Sequence, residues 1–380
     1  MARVKYLTLP PGRRCLAVSD IHGNLPYFRG LLEKLRFSDE DTLLVLGDFV
    51  EKGEESLETL RFLMALMARG NVHALLGNCD GWYLDRALAS PEVDGAIRRY
   101  IHRQKPHRGP GLLLQMCREA DFSLAGDFDV AAMRTALAAH FPAEIAFLQA
   151  LPHIIETEHF TFVHGGLPSG PSLAALSPVQ CMKYDNFMTD GRRFDKWVVA
   201  GHTPVVLYGG ERSEAAPRID RESRIVSIDG GCVLREDGQL NALLLPSDGG
   251  GDFGCVAYDR FPVRRVLDAQ AGSGHSAYIR WGDSVIDILD KGPEFSRCRH
   301  LRTGYELDIL TDTIFTGRDG ARHCEDCTDY RLPLEPGDEI SVVRETSRGF
   351  LAKRRGVTGW YGGRLAEEQV EFSGAVDIVC

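Results

Sequence analysis

Five short runs in the first 230 residues, and a weaker sixth, each end at a residue able to ligate a hard or borderline metal ion. They are Ser19-Asp20-Ile21-His22-Gly23-Asn24, Gly47-Asp48, Gly77-Asn78-Cys79-Asp80, Val163-His164-Gly165-Gly166, Gly201-His202-Thr203-Pro204 and, more weakly, Ile228-Asp229-Gly230-Gly231. Nearly every run follows an apolar, strand-like stretch. The arrangement predicts that Asp20, His22, Asp48, Asn78, His164 and His202 meet at one sheet edge. Such a donor set is hard to explain except as a site for two divalent cations.

In an open α/β sheet, ligands bind beyond the carboxyl ends of the strands. A pair of divalent metals needs oxygen and nitrogen donors, one of them bridging. Two metals roughly 3.5–4 Å apart hold a hydroxide nucleophile and clamp both oxygens of an in-line displacement at phosphorus. The spacing Asp20-x-His22 predicts two side chains on one side of an extended strand end, both reaching one ion. Asp48 is the expected bridge. Asn78, His164 and His202 complete the second ion. Taken singly these motifs are weak, since Gly, Asn and Thr commonly mark turns. Their conjunction, in order, carries the argument. Mixed oxygen and nitrogen ligation permits manganese, iron, zinc or cobalt, and manganese is the first expectation.

The runs Ser19-Asp20-Ile21-His22-Gly23, Gly47-Asp48-Phe49-Val50-Glu51-Lys52-Gly53, Gly77-Asn78-Cys79-Asp80, His164-Gly165-Gly166-Leu167 and Gly201-His202-Thr203-Pro204 resemble those of the calcineurin-like metallophosphoesterases. The likeness is to the phosphoprotein phosphatase branch, bacterial serine/threonine phosphatases included, and covers roughly residues 12–246. It implies a four-layer αββα sandwich. It implies dinuclear-metal-dependent hydrolysis of phosphate esters, with a phosphorylated protein or small phosphoester as substrate.

The departures matter as much as the matches. Cys79 stands where the family has a His thought to protonate the leaving group, and a thiol is a poor substitute. Lys52 replaces a phosphate-gripping Arg, and Leu76 replaces another. Arginine binds phosphate bidentately, which lysine does not reproduce. Asp80, Cys79 and Lys52 are the catalytic candidates, although Cys79 is equally readable as a packed thiol. Gly-Asn-Cys-Asp also occurs in a neighbouring branch that resembles phosphodiesterases. That branch ends in Gly-His-Thr-His, where this chain has Pro204. The alternatives to a phosphomonoesterase are a phosphodiesterase, a nucleotide pyrophosphohydrolase, or a weakly catalytic binding scaffold.

At 380 residues, 44% hydrophobic and 26% charged, the chain reads as an ordinary globular protein of two or three domains. Its formal net charge of -10 argues against wholesale nucleic-acid binding. No apolar run is long enough for a membrane span. The start Met1-Ala-Arg-Val-Lys-Tyr6 lacks the apolar core of a signal peptide, so a cytoplasmic location with free thiols is expected. Cys324-Glu325-Asp326-Cys327, with His323 beside it and Cys298 upstream, reads as chance thiols more readily than as a small metal site.

Strands are predicted at Cys15–Asp20, Thr42–Asp48 and Val72–Gly77, alternating with helices over Pro26–Phe37 and Glu54–Arg69. Residues 82–150 read as a helical insertion: Trp82–Ala89, Val93–His102, Gly111–Ala120 and Ala131–Gln149. It is a candidate cap over the metal edge. Its basic run Arg98–Arg108 reads as a solvated face or as a guide for phosphorylated substrates. In the irregular stretch 168–195, one of Lys183, Arg192 or Arg193 could replace a lost phosphate contact. Residues 1–246 are the expected phosphoesterase domain and 247–256 a glycine-rich linker. Residues 257–380 are an expected β-rich domain, SH3-like near 332–368, that supplies no metal ligands and binds a peptide or cell-wall partner. A truncation near residue 250 is then expected to keep metal binding. Trp360 and Tyr361 read as core or groove aromatics.

Overall fold

The computed structural model describes residues 1–82, 88, 91–102, 109–168, 172–246, 248–250 and 252–369. Two mixed sheets stack face to face. The first contains β1 (Val4–Tyr6), β5 (Ile154–Glu156), β6 (Phe160–Val163), β7 (Trp197–Ala200), β10 (Ile225–Ser227) and β9 (Arg218–Asp220), in that spatial order. The second runs β12 (Gly254–Tyr258), β11 (Leu240–Leu245), β2 (Cys15–Val18), β3 (Thr42–Val45) and β4 (Val72–Ala74).

Alternation along the strands builds the layers. Cys15 and Ala17 of β2 face the other sheet, where they join Phe160, Phe162, Val199 and Val226. Leu16 and Val18 face outward, into the helical layer of α1 (Leu25–Lys34) and α2 (Ser56–Met67). The outer layer on the first sheet is thinner. Leu167, Leu176, Cys181 and Phe187 cover it from turns and the short helix α8 (Pro178–Met182), which opens on a capping box of Ser177 and Gln180.

Residues 78–150 carry α3 (Asn78–Trp82), α4 (Asp94–His102), α5 (Leu112–Glu119), α6 (Val130–His140) and α7 (Pro142–Ala150). The single helix expected over 131–149 is two. Asp129 caps the first, and Pro142, which lacks a donor and clashes with the preceding turn, starts the second. Leu113, Met116, Met133, Leu137 and Leu148 share one core with α1 and α2, so α5–α7 thicken the helical layer. Most of the helix expected at 82–89, and residues 103–108 of the basic run, lie outside the described residues.

Gly254–Tyr258 falls partly within the expected linker. Cys255 and Val256 are buried, and the strand pairs antiparallel with β11, so the two-sheet unit extends to residue 258. The C-terminal region is all β. Its six-stranded sheet runs Leu365–Gln369, β13 (Val263–Val266), Glu339–Thr346, Gly349–Arg354, Val357–Tyr361 and finally β8 (Ser213–Glu214). This last strand comes from the two-sheet unit and pairs with Val357 and Thr358.

A buried ion network joins the same two units. Arg235 contacts Asp237 at 2.7 Å and also Asp326 and Tyr278, while Lys353 pairs with Asp259 at 3.0 Å. Tyr361 is fully buried and Trp360 donates to the Thr328 carbonyl at 2.7 Å, so both are structural aromatics. Cys324 and Cys327 lie 3.8 Å apart, and among the described residues they form no group of three metal donors. No helix of the described residues is long and apolar enough to cross a membrane.

Candidate metal centre

The loops after β2, β3, β4, β6, β7 and β10 all leave from carboxyl strand ends, and each carries one of the donor runs. Asp20 and His22 meet, but not by strand alternation. The strand ends at Val18, and both residues have left-handed backbone, φ 57° and 51°. Asp48 and His202 share that conformation, at 50° and 69°. Four expected ligands in a sparsely populated region mark a turn held for a purpose rather than for packing. The hold is visible: Asp20 N–H donates to Gly47, His22 N–H to Asp48 and Gly23 N–H to Phe49. Gly77 approaches Asp48 so closely that a Cβ there would collide with its carboxylate.

Asp20, His22, Asp48 and His164 are at most 1% exposed. His22 Nε2 lies 3.7 Å from Asp20 Oδ1 and 3.9 Å from Asp48 Oδ2. His164 Nε2 is 3.4 Å from Asp48 Oδ1 and 3.1 Å from Asn78 Oδ1. The rings of His164 and His202 are 5.2 Å apart. All six residues expected as ligands therefore gather at one place. Two donor groups stand out, Asp20–Asp48–His164 and His22–Asp48–Cys79, each with ligand atoms within 4.8 Å of one another. Asp48 is common to both. The thiol of Cys79 in the second group is not among the expected donors.

The imidazoles are oriented from behind. His164 Nδ1 is 2.8 Å from the Leu46 carbonyl and His22 Nδ1 is 3.4 Å from that of Val50. Each bond places the proton on Nδ1 and turns the Nε2 lone pair inward, as metal-binding histidines require. His202 is held by Asp185 at 3.2 Å. Asp185 lies in the irregular stretch, where no sequence signal singles it out.

The electrostatics are those of a crowded anionic pocket. Burial, then the charge of Asp48, raises the Asp20 pKa. Burial works against ionised Asp48 too, but His164, His22 and Lys52 outweigh it and lower its pKa. Burial and the Lys52 ammonium depress His22 to about 3. Burial and His164 depress His202 to about 4. His164 is raised, because Asp48 and Asp20 overcome its burial. Burial and the charge of Asp20 push Asp229 well up, and its Oδ2 has no hydrogen-bond partner among the described residues. Buried carboxylates, inward imidazole nitrogens and an orphaned oxygen fit divalent cations, whose charge would favour ionised Asp20 and Asp229 and a neutral His164.

The catalytic candidates divide. Asp80 is fully buried and accepts the backbone N–H groups of Asp48, Val50 and Gly77. This corrects its expected role: both oxygens are spent holding two ligand loops together. Cys79 stays at the centre, its thiol pushed well up by burial and Asp48. Lys52 Nζ lies 3.1 Å from His22 Nε2. Its pKa is raised: burial opposes the charge, but Cys79, Asp48, Asp20 and Asp229 prevail.

Leu76 is buried and offers phosphate nothing. Arg192 is tied to the Leu167 carbonyl and Tyr184, and Arg193 to Glu222. Lys183 is exposed. Arg98 pairs with Asp127 at 3.0 Å. The insertion touches the centre through Glu51, which receives the Tyr100 hydroxyl and the Leu112 N–H.

The sequence pattern of calcineurin-like phosphoesterases matches residues 13–229. A symmetrical bis(5'-nucleosyl)-tetraphosphatase of Buchnera aphidicola is 47% identical over 64 residues, 17% of this chain and 23% of that protein. The match thus spans about a quarter of that relative's length. A solved structure named provisionally as a diadenosine tetraphosphatase is 21% identical with a TM-score of 0.43, covering 68% of this chain and all of that one. A cold-active protein-tyrosine phosphatase of a psychrophilic Shewanella is 16% identical with a TM-score of 0.37, covering 66% of this chain and 81% of that one.

Proposed function

The chain belongs to the calcineurin-like phosphoesterase family, and on that premise we propose that it is a metal-dependent hydrolase of phosphomonoesters whose leaving groups depart without a strong acid. One observation carries this reading. Asp20, His22, His164 and Cys79 bring ligand atoms around Asp48, with Asn78 and His202 beside His164, while the position of the family's acid holds a half-buried thiol.

Two divalent cations, when bound, supply the positive charge that draws electron density from phosphorus and acidifies water. Asp20, His22, Asp48, Asn78, His164 and His202 would hold them. Leu46, Val50 and Asp185 keep the imidazoles turned to that task. Lys52, kept charged by the carboxylates around it, faces the phosphoryl oxygens as a point charge. Cys79 keeps its proton at neutral pH, but a thiol is a weak donor. Aryl phosphates and phosphotyrosine-like groups suit such a site better than alkyl phosphates. The donors accept manganese, iron, zinc or cobalt, and the sulfur beside His22 weights the choice toward the softer three.

A second reading, hydrolysis of a nucleotide phosphoanhydride, is supported by the names of the Buchnera relatives and by the same leaving-group argument. Steady-state rates on p-nitrophenyl phosphate, bis-p-nitrophenyl phosphate, phosphoserine and diadenosine tetraphosphate test both. The first reading expects the aryl monoester to lead. Faster turnover of the tetraphosphate favours the second, and faster turnover of the diester or of phosphoserine sinks both.

A further inference from the structure

A neutral imidazole has one acceptor lone pair, on the ring nitrogen that lacks the proton. In His22, Nδ1 faces the Val50 carbonyl at 3.4 Å, which leaves the lone pair on Nε2. Lys52 Nζ lies 3.1 Å from that atom. An ammonium has three donors and no acceptor, so Lys52 donates and Nε2 accepts. The lone pair that would ligate a cation in the group His22–Asp48–Cys79 is thus engaged by a positive charge the chain supplies itself. In the group Asp20–Asp48–His164 the inward nitrogen meets oxygens instead. His164 Nε2 is 3.1 Å from Asn78 Oδ1 and 3.4 Å from Asp48 Oδ1.

The loop that carries Lys52 is fixed by its main chain. Glu51 and Lys52 have left-handed φ, 72° and 70°. The Lys52 carbonyl accepts the Gly109 N–H at 3.0 Å, and the Glu51 carboxylate the Leu112 N–H at 2.9 Å. A Cβ on Gly53 would collide with the His22 carbonyl, so this loop packs directly on the ligand turn. The part of Lys52 that can swing is its flexible four-carbon stem.

We propose that the Lys52 ammonium is a tethered competitor for one of the two cation places, holding His22 Nε2 until a divalent cation displaces it and then turning to the phosphoryl oxygens of the substrate. The proposal rests on the two-cation reading of the centre. A divalent ion carries twice the charge of the ammonium, and Asp20 Oδ1 and Asp48 Oδ2 lie 3.7 and 3.9 Å from His22 Nε2 to receive it. The two places are therefore unequal. The one at His164 fills first. Affinity at His22 is reduced by the fraction of chains in which Lys52 still holds the nitrogen. Cation supply then sets how many chains offer phosphate both a second cation and a released ammonium.

The test titrates the full-length, chelator-stripped chain with Mn²⁺, counting free ion by electron paramagnetic resonance, beside Lys52→Met and Lys52→Ala. Thermal midpoints check that each chain is folded. The nitrogen-15 resonance of His22 Nε2 is followed in histidine-labelled, metal-free protein and assigned by its loss in His22→Gln. The unaltered chain is expected to bind two ions, the second about tenfold more weakly. Both variants should tighten the second ion about tenfold, leave the first unchanged and move the Nε2 resonance. Equal tightening of both ions would make Lys52 a distant charge and overturn the proposal. An unmoved resonance, or a second ion bound no more tightly by the variants, sinks the proposal and leaves the metal centre standing. No more than one ion bound by the unaltered chain and variants alike removes the two-cation reading and the proposal with it.

Discussion

The backbone N–H of Cys79 holds Oδ1 of Asp48 at 2.8 Å. The residue in the acid position is therefore fixed by its main chain to the carboxylate that both donor groups share. Its side chain can be exchanged without moving that contact. Cys79→His should raise the rate on alkyl phosphates by about tenfold or more, and on p-nitrophenyl phosphate far less, since general-acid help is typically worth about 10²–10⁴-fold. A leaving-group series run on both proteins checks this. An equal change on every ester would assign the proton to another residue.

Asp48→Asn removes the charge common to both donor groups while keeping the side chain's shape. It should lower bound cations to one or fewer per chain and the rate by roughly 10²–10³-fold. Elemental analysis after metal loading and gel filtration reads the first effect. Two retained cations would show that Asp48 does not bridge.

The truncation near residue 250 that the sequence makes attractive should instead fail to give a folded protein. It removes β12 from β11 and strips β8 of its partner. It also takes Asp326 and Tyr278 from the buried Arg235. In the full chain, Asp326→Asn should cost about 3 kcal/mol, because it leaves a desolvated guanidinium one carboxylate short. Urea unfolding monitored by tryptophan fluorescence measures it. An unchanged midpoint would mean the network is solvated.

Acid should weaken the β1–β5 edge. His153 Nδ1 accepts the Arg3 N–H at 3.0 Å, and burial together with the Arg3 charge depresses its pKa to about 4. The native ring is neutral where the unfolded one, near 6.5, takes up a proton. Its contribution is therefore complete above about pH 6.5 and is lost as pH falls toward 4. Between pH 7 and 5 the loss should be on the order of 1 kcal/mol. Melting curves of the protein and of His153→Asn should converge over that range. A constant gap between them would remove His153 as the cause.

The six expected ligands could be picked out as candidates because nearly every one follows an apolar run, and β2 and β3, buried on both faces, are hard to mistake for anything else. What escaped has physical causes. β1 is short, with Lys5 and Tyr6 exposed, so no pattern marks it. β8 is two residues long, and its partner lies far along the chain. The left-handed turns at Asp20 and His22 leave no trace in residue type. The role of Asp80 depends on three backbone donors spread over two loops. Asp185 acts through one contact in an irregular stretch. Asp229 was visible only as a weak run, and its unpaired oxygen only once the loops were assembled.

Ser213 and Glu214 form the edge of a sheet whose other strands all follow in sequence. During synthesis that edge emerges from the ribosome well before Val357 and Thr358 exist to pair with it. Arg235 likewise waits for Asp326. The phosphoesterase half must leave its 209–217 loop and one buried cation unsettled until Asp326, Val357 and Thr358 are made. The two halves finish folding together, and a recombination event that swapped only the second half would have to bring a matching edge for the first.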